Sequence, residues 1–330
     1  MSAPSDDRFL GLKTRAAILR AIRAWFDTEG FIEADVDARV RVPGGETHLS
    51  AFRAGDRYLH TSPEFSLKKL IATGAGPLYF LGHVWRDEPV AKRHLTEFTM
   101  AEWYRIDAGW RRVAEDTVTL IQTAGQASAV KHLRTDQALC DLDQAPIWLS
   151  VDDAFASAGL PGLLETLAPD GTPDRNKLAS LAEAAAFPTQ ADDDWSDMFS
   201  KLLTGRMEPT LPKDKIVILH DYPAPEAALA QRSKANPRVA ERFEVYACGV
   251  ELANGFGELT DPVEQRTRFE AAMAEKQRRY GAAWPIDDAL LDALTDMPET
   301  AGCALGVDRL VQLCVGAPRI LDVVWSGAIG

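Results

Sequence analysis

The hydrophobic and polar positions near the N-terminus follow the period of an amphipathic helix. One face of this helix carries four apolar residues at i, i+4, i+7 and i+8, namely Ile18, Ile22, Trp25 and Phe26. The pattern predicts a helix over 13–29, and Gly30 is a residue type that often ends one. Phe31 and Ile32 then begin a short extended segment.

Further along the chain, short apolar runs and apolar alternation predict strands that follow one another without a helix between each pair. The predicted strands cover 58–61, 78–85, 98–105, 215–220, 243–250, 252–256 and 304–307. Helices are predicted over 63–72, 110–134, 266–279 and 308–314. Runs of strands are typical of an antiparallel sheet, so we predict one α+β domain over residues 1–330.

One stretch does not fit this scheme. Residues 141–205 alternate short helical patterns with acidic loops, and they contain no motif that indicates chemistry. We interpret 141–205 as an insertion that decorates the domain.

Composition limits the class of protein. The chain has 330 residues, of which 46% are hydrophobic, so a packed core is expected. Its net charge of −13 argues against non-specific binding of nucleic acid, which needs a basic surface. No apolar run reaches the roughly 18 residues of a membrane span, and the polar residues 1–8 lack a signal-peptide core. We therefore expect a cytoplasmic protein without a membrane partner.

The cysteines fit the same compartment. None of the four shows Cys-x-x-Cys or metal-ligand spacing, so we expect reduced, buried thiols at Cys140, Cys248, Cys303 and Cys314.

The loop between the strands 78–85 and 98–105 is unusually charged. It carries Arg86, Asp87, Glu88, Lys92, Arg93, His94 and Glu97. Such a loop is unfavourable in a purely structural hairpin, but its basic residues could bind a polyanion such as ATP. Other charged patches lie at 61–64, at 244–261 and at Arg309, which follows a predicted strand-to-helix junction.

Four motifs in this order resemble the elongation factor P lysine ligase family, whose catalytic domain is of the class II lysyl-tRNA synthetase type. They are Thr61-Ser62-Pro63-Glu64, residues 97–105, residues 242–246 with 249–261, and residues 304–310. The likeness runs from about residue 12 to about residue 325 and is weak over 141–205. It implies a class II synthetase-like α+β fold, in which helices flank an antiparallel β-sheet, and a homodimer.

The resemblance implies ATP-dependent activation of (R)-β-lysine or lysine as an aminoacyl-adenylate. The acyl group would then pass to a lysine ε-amine of elongation factor P. A carboxylate is already ionised at pH 7, so activation needs positioning and charge neutralisation at phosphorus rather than a base. Only about a dozen residues precede the first predicted helix, so we expect no anticodon-binding domain and no binding of a full tRNA.

The same resemblance implies an ATP site formed by Arg86, Asp87, Glu88, His94, Phe98, Glu251, Leu252, Gly306 and Arg309, of which Arg86 and Arg309 are catalytic. Arg86 would contact the α-phosphate, Glu88 the adenine edge, and Phe98 the adenine face. His94 and Arg309 would lie towards the β- and γ-phosphates.

Glu244 and Glu251 are the implied ligands of Mg²⁺, which prefers carboxylate oxygens. Their spacing of seven places them on opposite faces of a single straight strand, so a shared metal requires a bend or a bulge.

The implied amino-acid pocket consists of Ser62, Pro63, Glu64, Tyr104, Asn254, Phe256, Glu258 and Ala304. Glu258 and Tyr104 are the candidates for the side-chain ammonium, and Glu64 for the α- or β-amine. Asn254 and Phe256 would orient the carboxylate and the aliphatic stem. Ala304 stands where lysyl-tRNA synthetases have glycine. Our hypothesis is that its added methyl group makes the pocket prefer β-lysine to α-lysine.

Three positions depart from the family pattern. Leu95 and Asp87 each replace an asparagine of the loop, and Asp37 replaces a motif 1 proline that supports the dimer. Two alternatives therefore stay open: an adenylate-forming enzyme with another acceptor, and a non-catalytic, synthetase-like binding protein. The retention of both phosphate arginines and both metal carboxylates favours catalysis, namely of Arg86, Arg309, Glu244 and Glu251, whereas Leu95 favours its loss.

Overall fold

The computed structural model describes residues 6–325 of the chain, so residues 1–5 of the polar N-terminal segment and residues 326–330 lie outside it. Its α-helices are α1 (Asp6–Thr28), α2 (Glu64–Ala72), α3 (Trp110–Ala127), α4 (Val151–Ser157), α5 (Arg175–Ala184), α6 (Trp195–Leu202), α7 (Pro262–Tyr280), α8 (Asp288–Leu294) and α9 (Val307–Val315). Shorter helical turns lie at Leu163–Thr166, Leu203–Met207, Glu208–Thr210, Ala224–Glu226 and Ile320–Val323.

The strands are β1 (Ile32–Glu33), β2 (Arg39–Val40), β3 (Arg53–Ala54), β4 (Arg57–Leu59), β5 (Leu78–Trp85), β6 (Glu97–Ile106), β7 (His132–Arg134), β8 (Leu139–Asp141), β9 (Ile147–Ser150), β10 (Val217–Pro223), β11 (Val239–Ala247), β12 (Val250–Gly257) and β13 (Thr300–Gly306). Eight of them form one sheet in the order β1-β5-β6-β13-β12-β11-β10-β9. The six central strands are antiparallel, which confirms the α+β prediction. At the two edges of the sheet, β1 pairs in parallel with β5, and β9 pairs in parallel with β10. The sequence pattern did not predict these parallel pairs.

Three helix boundaries differ from their predictions by several residues, and one of them is the start of α7, at Pro262 rather than at residue 266. Helix α1 begins at Asp6 rather than at residue 13. Helix α3 ends at Ala127, and its predicted last turn is instead the strand β7. The chain leaves the helix because Ala129 adopts a φ of 56°, in the left-handed region that a continuing helix cannot contain.

The prediction of one strand over 243–250 is wrong in a way that changes the site. Cys248 and Gly249 have φ of 54° and 70°, so they form a tight two-residue turn between β11 and β12. Glu244 and Glu251 therefore lie on two adjacent antiparallel strands and not on one. The register also shifts between Val245 and Tyr246, which is the kind of irregularity that a metal shared by the two carboxylates would require.

Alternation along β6 separates the core from the cavity. Ala101 and Trp103 are fully buried in the core that also contains the apolar face of α1 and the helices α3 and α9. Met100, Glu102 and Tyr104 point to the other face, where they line a cavity. One strand thus supplies both hydrophobic stabilisation and functional side chains, because neighbouring residues of a strand face opposite sides.

Residues of the 141–205 segment pack against the far end of the sheet. Helices α4, α5 and α6 share a hydrophobic cluster with Val217, Leu219, Tyr222 and Tyr246 of the sheet. The segment also contains the edge strand β9. The interpretation of residues 141–205 as an insertion remains a prediction.

A buried ion pair joins the first helix to the last. Arg15 of α1 pairs with Asp308 at the start of α9, and it also donates to the Thr99 hydroxyl at 2.6 Å. The main-chain N–H of Thr99 donates to the second oxygen of Asp308 at 2.9 Å. These contacts hold the beginning of α9 against β6, and so they position the next residue, Arg309.

The cysteine prediction is confirmed for the described chain: all four thiols are buried and free of disulfide bonds. Among residues 6–325, no helix is long and apolar enough to cross a membrane.

Candidate active site

A cavity of about 270 Å³ opens on the sheet face formed by β6, β12 and β13. The loop 86–95, the start of α2 and the start of α9 form its walls. Most of the predicted site residues line it, namely Ser62, Glu64, Arg86, Glu88, His94, Phe98, Tyr104, Glu251, Leu252, Asn254, Phe256, Glu258, Ala304, Gly306 and Arg309. Residues that lie far apart in sequence therefore surround one space.

Three predicted site residues do not line the cavity. Asp87 uses its main-chain N–H to donate to Ser50 O at 3.0 Å. Pro63 is the N-cap residue of α2, directly before the first turn of that helix. Both oxygens of Glu244 are bound by neighbours on its own strand, since Arg242 donates to one at 2.8 Å and the Tyr246 hydroxyl to the other at 2.6 Å.

The loop end of the cavity is cationic. The Arg86 guanidinium lies 5.4 Å from the centre of the Phe98 ring, and its buried Nε has no partner among the described residues. Arg93 also lines this end. A buried guanidinium N–H without a protein partner is suited to receive an anionic oxygen.

Arg309 organises the same end. It donates to the main-chain oxygen of Glu251 at 2.9 Å and lies 3.4 Å from a carboxylate oxygen of that residue. Its other terminal nitrogen lies 3.2 Å from His94 Nε2. Burial lowers the pKa of His94, and the Arg309 charge lowers it further, so the imidazole is neutral and accepts this hydrogen bond.

The opposite end is anionic and buried. Lys68 of α2 is only 2% exposed, and its Nζ lies 2.6 Å from Glu64 Oε1 and 2.5 Å from Glu258 Oε2. The other oxygen of Glu258 has no partner among the described residues. Burial raises the pKa of Glu258 to about 8, even though Lys68 opposes the shift.

Glu102 adds a third carboxyl group to this end. It accepts hydrogen bonds from Ser62 Oγ at 2.6 Å and from the Tyr104 hydroxyl at 2.8 Å. Burial, followed by the charge of Glu64, raises the pKa of Glu102 to about 8. Gly302 leaves room for these groups, because a Cβ there would come within 2.3 Å of the Tyr104 ring.

A second cluster of acidic residues lies at the β11–β12 hairpin. Glu208 follows the 141–205 segment, and one of its oxygens lies 3.3 Å from the Tyr246 hydroxyl that binds Glu244. Burial and then the charge of Glu244 raise the pKa of Glu208 to about 7. Burial also raises the pKa of Glu251, and Glu244 adds to that shift.

Comparison with known proteins identifies the family. The family described as tRNA synthetases class II (D, K and N) matches residues 6–326. The elongation factor P–(R)-β-lysine ligase of Erwinia tasmaniensis is 36% identical over 326 residues, which cover 95% of this chain and 93% of the relative. The chain belongs to the elongation factor P–(R)-β-lysine ligase family. Its relatives of the same name in Pectobacterium carotovorum and Yersinia enterocolitica are each 37% identical, with the same coverage.

The cavity of this ligase-family member contains residues that the sequence analysis did not select. Glu102 lines its anionic end and Glu46 also lines it, whereas Lys68 is buried next to that end, where it pairs with Glu64 and Glu258. Two of them had a signal in the sequence. Lys68 follows Glu64 by four residues on a predicted helix, a spacing that brings side chains together. Glu102 precedes Tyr104 by two residues on a predicted strand, so both share a face.

Proposed function

We propose that this protein is an ATP-dependent ligase that activates (R)-β-lysine, or lysine, and transfers it to a lysine ε-amine of elongation factor P. One observation carries the proposal: a single cavity has a cationic end at Arg86 and Arg309 and an anionic end at Glu64, Glu102 and Glu258. ATP phosphates match the first end. The two ammonium groups of a diamino acid match the second.

The reaction proceeds in two balanced steps. An oxygen of the amino-acid carboxylate attacks the α-phosphorus of ATP, and pyrophosphate leaves with the electrons of the broken P–O bond. The neutral acceptor amine then attacks the acyl carbon, AMP leaves, and the nitrogen loses a proton as the amide forms. Arg86 and Arg309 stabilise the charge that develops at phosphorus, an effect worth roughly 3–4 kcal/mol for a well-placed donor.

The anionic end selects the substrate. A buried carboxylate such as Glu258 favours an ammonium over any uncharged substituent, because an amino acid without that amine leaves the second oxygen of this carboxylate without a partner. Tyr104 and Ser62 hold the Glu102 carboxyl group in the same pocket. Asn254 Oδ1, which has no partner among the described residues, is available to a donor on the substrate.

We include Mg²⁺ in the proposal, with Glu244 and Glu251 as the residues that would hold it. Glu251 lines the cavity and offers a hard carboxylate oxygen, whereas Glu244 on the adjacent strand would have to give up a hydrogen bond from Arg242 or Tyr246 to bind the cation. Burial raises the pKa of Glu251 and the charge of Glu244 raises it further, so a divalent cation beside the two carboxylates would favour their ionised forms. Bound Mg²⁺ would supply charge neutralisation at the phosphates. A homodimer and a cytoplasmic location, both implied by the sequence, remain part of the proposal.

The test has two stages. ATP–pyrophosphate exchange is measured with (R)-β-lysine, with lysine and without an amino acid, and mass spectrometry then follows elongation factor P. We expect amino-acid-dependent exchange and a mass gain of one lysyl residue. A matched elongation factor P in which arginine replaces the acceptor lysine should gain no mass.

The two alternatives give different results. Exchange without any mass gain on elongation factor P would favour an enzyme with another acceptor. The absence of exchange with both amino acids would favour a non-catalytic binding protein. Either result would contradict the proposal.

A further inference from the structure

A buried cation pairs with two carboxylates at the amino-acid end of the cavity, and the proposed reaction does not use it. The Nζ of Lys68 lies 2.6 Å from Glu64 and 2.5 Å from Glu258, and the side chain is 2% exposed. An ammonium group in this place competes, at first sight, with the cationic substrate. Its burial therefore needs a functional explanation.

We propose that Lys68 is a positioning residue that favours the ionised forms of Glu64 and Glu258 and holds them at a fixed separation, so that the buried pocket, once its carboxylates are ionised, is electrically neutral only with a diamino acid bound. This inference rests on the proposed function and extends it to the charge selectivity of the pocket.

Counting charges supports this inference. Among residues 6–325, the titratable groups that act on Lys68 and its partners are acids: Glu64 on α2, Glu102 and Tyr104 on β6, Glu258 after β12, and Glu46 at the rim. The three buried carboxylates carry three negative charges when ionised, and Lys68 carries one positive charge. Two substrate ammonium groups complete the balance. One ammonium group leaves a carboxylate uncompensated in a place where uncompensated charge is costly.

The energetics of Lys68 point the same way. Burial alone lowers the pKa of a lysine, but the charges of Glu258 and Glu64 more than reverse this effect and raise it. Lys68 is thus a permanent cation. In return it lowers the pKa of Glu64 and of Glu258 relative to what burial alone would produce. Without Lys68, both carboxyl groups would hold their protons to higher pH and would be poorer partners for ammonium.

Geometry adds to the charge effect. The Lys68 ammonium donates to one oxygen of Glu64 and lies beside one oxygen of Glu258, which sets the separation of two side chains from different elements. The second oxygen of Glu258 is buried and has no partner among the described residues, and Glu258 is one of the residues that line the cavity. Lys68 thereby orients Glu258 with one oxygen towards the substrate.

The test uses Lys68→Met, which keeps the length of the side chain but removes its charge. In ATP–pyrophosphate exchange we expect the KM for the diamino acid to rise at least tenfold at pH 7, while the KM for ATP changes less than twofold. We also expect the pH at which the amino-acid KM reaches its minimum to move upwards by about one unit. A purely structural role would instead lower kcat at every pH without moving this profile.

Two further variants make the result decisive. Lys69→Met is the matched control, since Lys69 is the next residue of α2 and pairs with Asp287 away from the cavity; its kinetics should equal those of the wild type. The double variant Lys68→Met/Glu258→Gln removes one charge of each sign, so it should bind the diamino acid more tightly than the product of the two single effects predicts.

Some outcomes would overturn the inference. They are an unchanged amino-acid KM and pH profile in Lys68→Met, or strictly multiplicative effects in the double variant. If instead the wild type shows no exchange with any diamino acid, the proposed function itself has failed, so the two failures are distinguishable.

Discussion

The Arg309 guanidinium donates a hydrogen bond to the main-chain oxygen of Glu251, 2.9 Å away, and so joins the first turn of α9 to the β11–β12 hairpin. The same side chain reaches His94 of the charged loop. One arginine therefore connects three separate parts of the cationic end. Its removal affects both the charge and the arrangement of that end.

Arg309→Ala should reduce the rate of adenylate formation by roughly 10²–10³-fold, because a donor to the developing charge is lost. The rate of ATP–pyrophosphate exchange at saturating ATP measures this effect. Arg266→Ala is the matched control, since Arg266 is a partly exposed arginine that pairs with Asp288. A loss of less than tenfold in Arg309→Ala would contradict the assigned role.

Arg15→Met should destabilise the fold by about 3–5 kcal/mol, because it leaves Asp308 as an uncompensated buried charge. Urea unfolding measures the change in the free energy of unfolding. Arg23 lies on the same helix and pairs with Glu33 at the surface, so Arg23→Met should cost less than about 1 kcal/mol. Equal effects of the two substitutions on the free energy of unfolding would show that the buried Arg15–Asp308 pair contributes no more to stability than the exposed Arg23–Glu33 pair.

Affinity for the amino acid should increase with pH. Glu102 and Glu258 have pKa values raised from 4.5 to about 8. Near pH 7, before the substrate binds, each of the two carboxyl groups is therefore protonated in most molecules. Ammonium groups bind the ionised forms, so protons are released, and the KM for the amino acid should fall between pH 6 and pH 8.5. Glu102→Gln should reduce the slope of log KM against pH; a slope of zero in the wild type would contradict the prediction.

The same two groups have the opposite effect on stability. Between about pH 4.5 and pH 8 the folded state binds more protons than the unfolded state, because the folded pKa values are higher. The contribution of these groups to the free energy of unfolding therefore falls as pH rises through that window. Urea unfolding of the wild type and of Glu102→Gln at pH 5 and pH 8 isolates the Glu102 part.

Ala304→Gly should improve the use of α-lysine relative to (R)-β-lysine. Ala304 lines the cavity opposite Glu102 in the β6–β13 register, and one methyl group in such a pocket is worth roughly 1–3 kcal/mol of discrimination. The ratio of kcat/KM for the two amino acids in ATP–pyrophosphate exchange measures the shift. Equal adenylation of both amino acids by the wild type would remove the basis of this prediction.

Leu95→Asn should strengthen the binding of ATP. Leu95 lines the cationic end of the cavity, where an asparagine side chain would add a hydrogen-bond donor worth about 0.5–1.5 kcal/mol. We expect a lower KM for ATP with an unchanged KM for the amino acid. A weaker binding of ATP would instead indicate that packing of Leu95 against the core holds the loop in place.

The sequence predicted the elements of the central sheet and most of the residues around the cavity. Local periodicity was sufficient for this, since alternation along β6 assigns Trp103 to the core and Tyr104 to the other face. The motifs were sufficient for the family, because their order and spacing are specific even where each residue alone is not. The boundary errors at α1 and α3 arose where apolar patterns do not mark where a helix begins or ends.

What the sequence alone determined is the α+β class, the family and the identity of most charged groups at the two ends of the cavity, although not of Lys68 and Glu102. Tertiary structure decided which of those groups meet. The Cys248–Gly249 turn places Glu244 and Glu251 on neighbouring strands, and the fold brings Lys68 between Glu64 and Glu258, which are 194 positions apart in the chain. Such contacts depend on strand register and helix placement, which follow from packing of the whole domain and not from any local pattern.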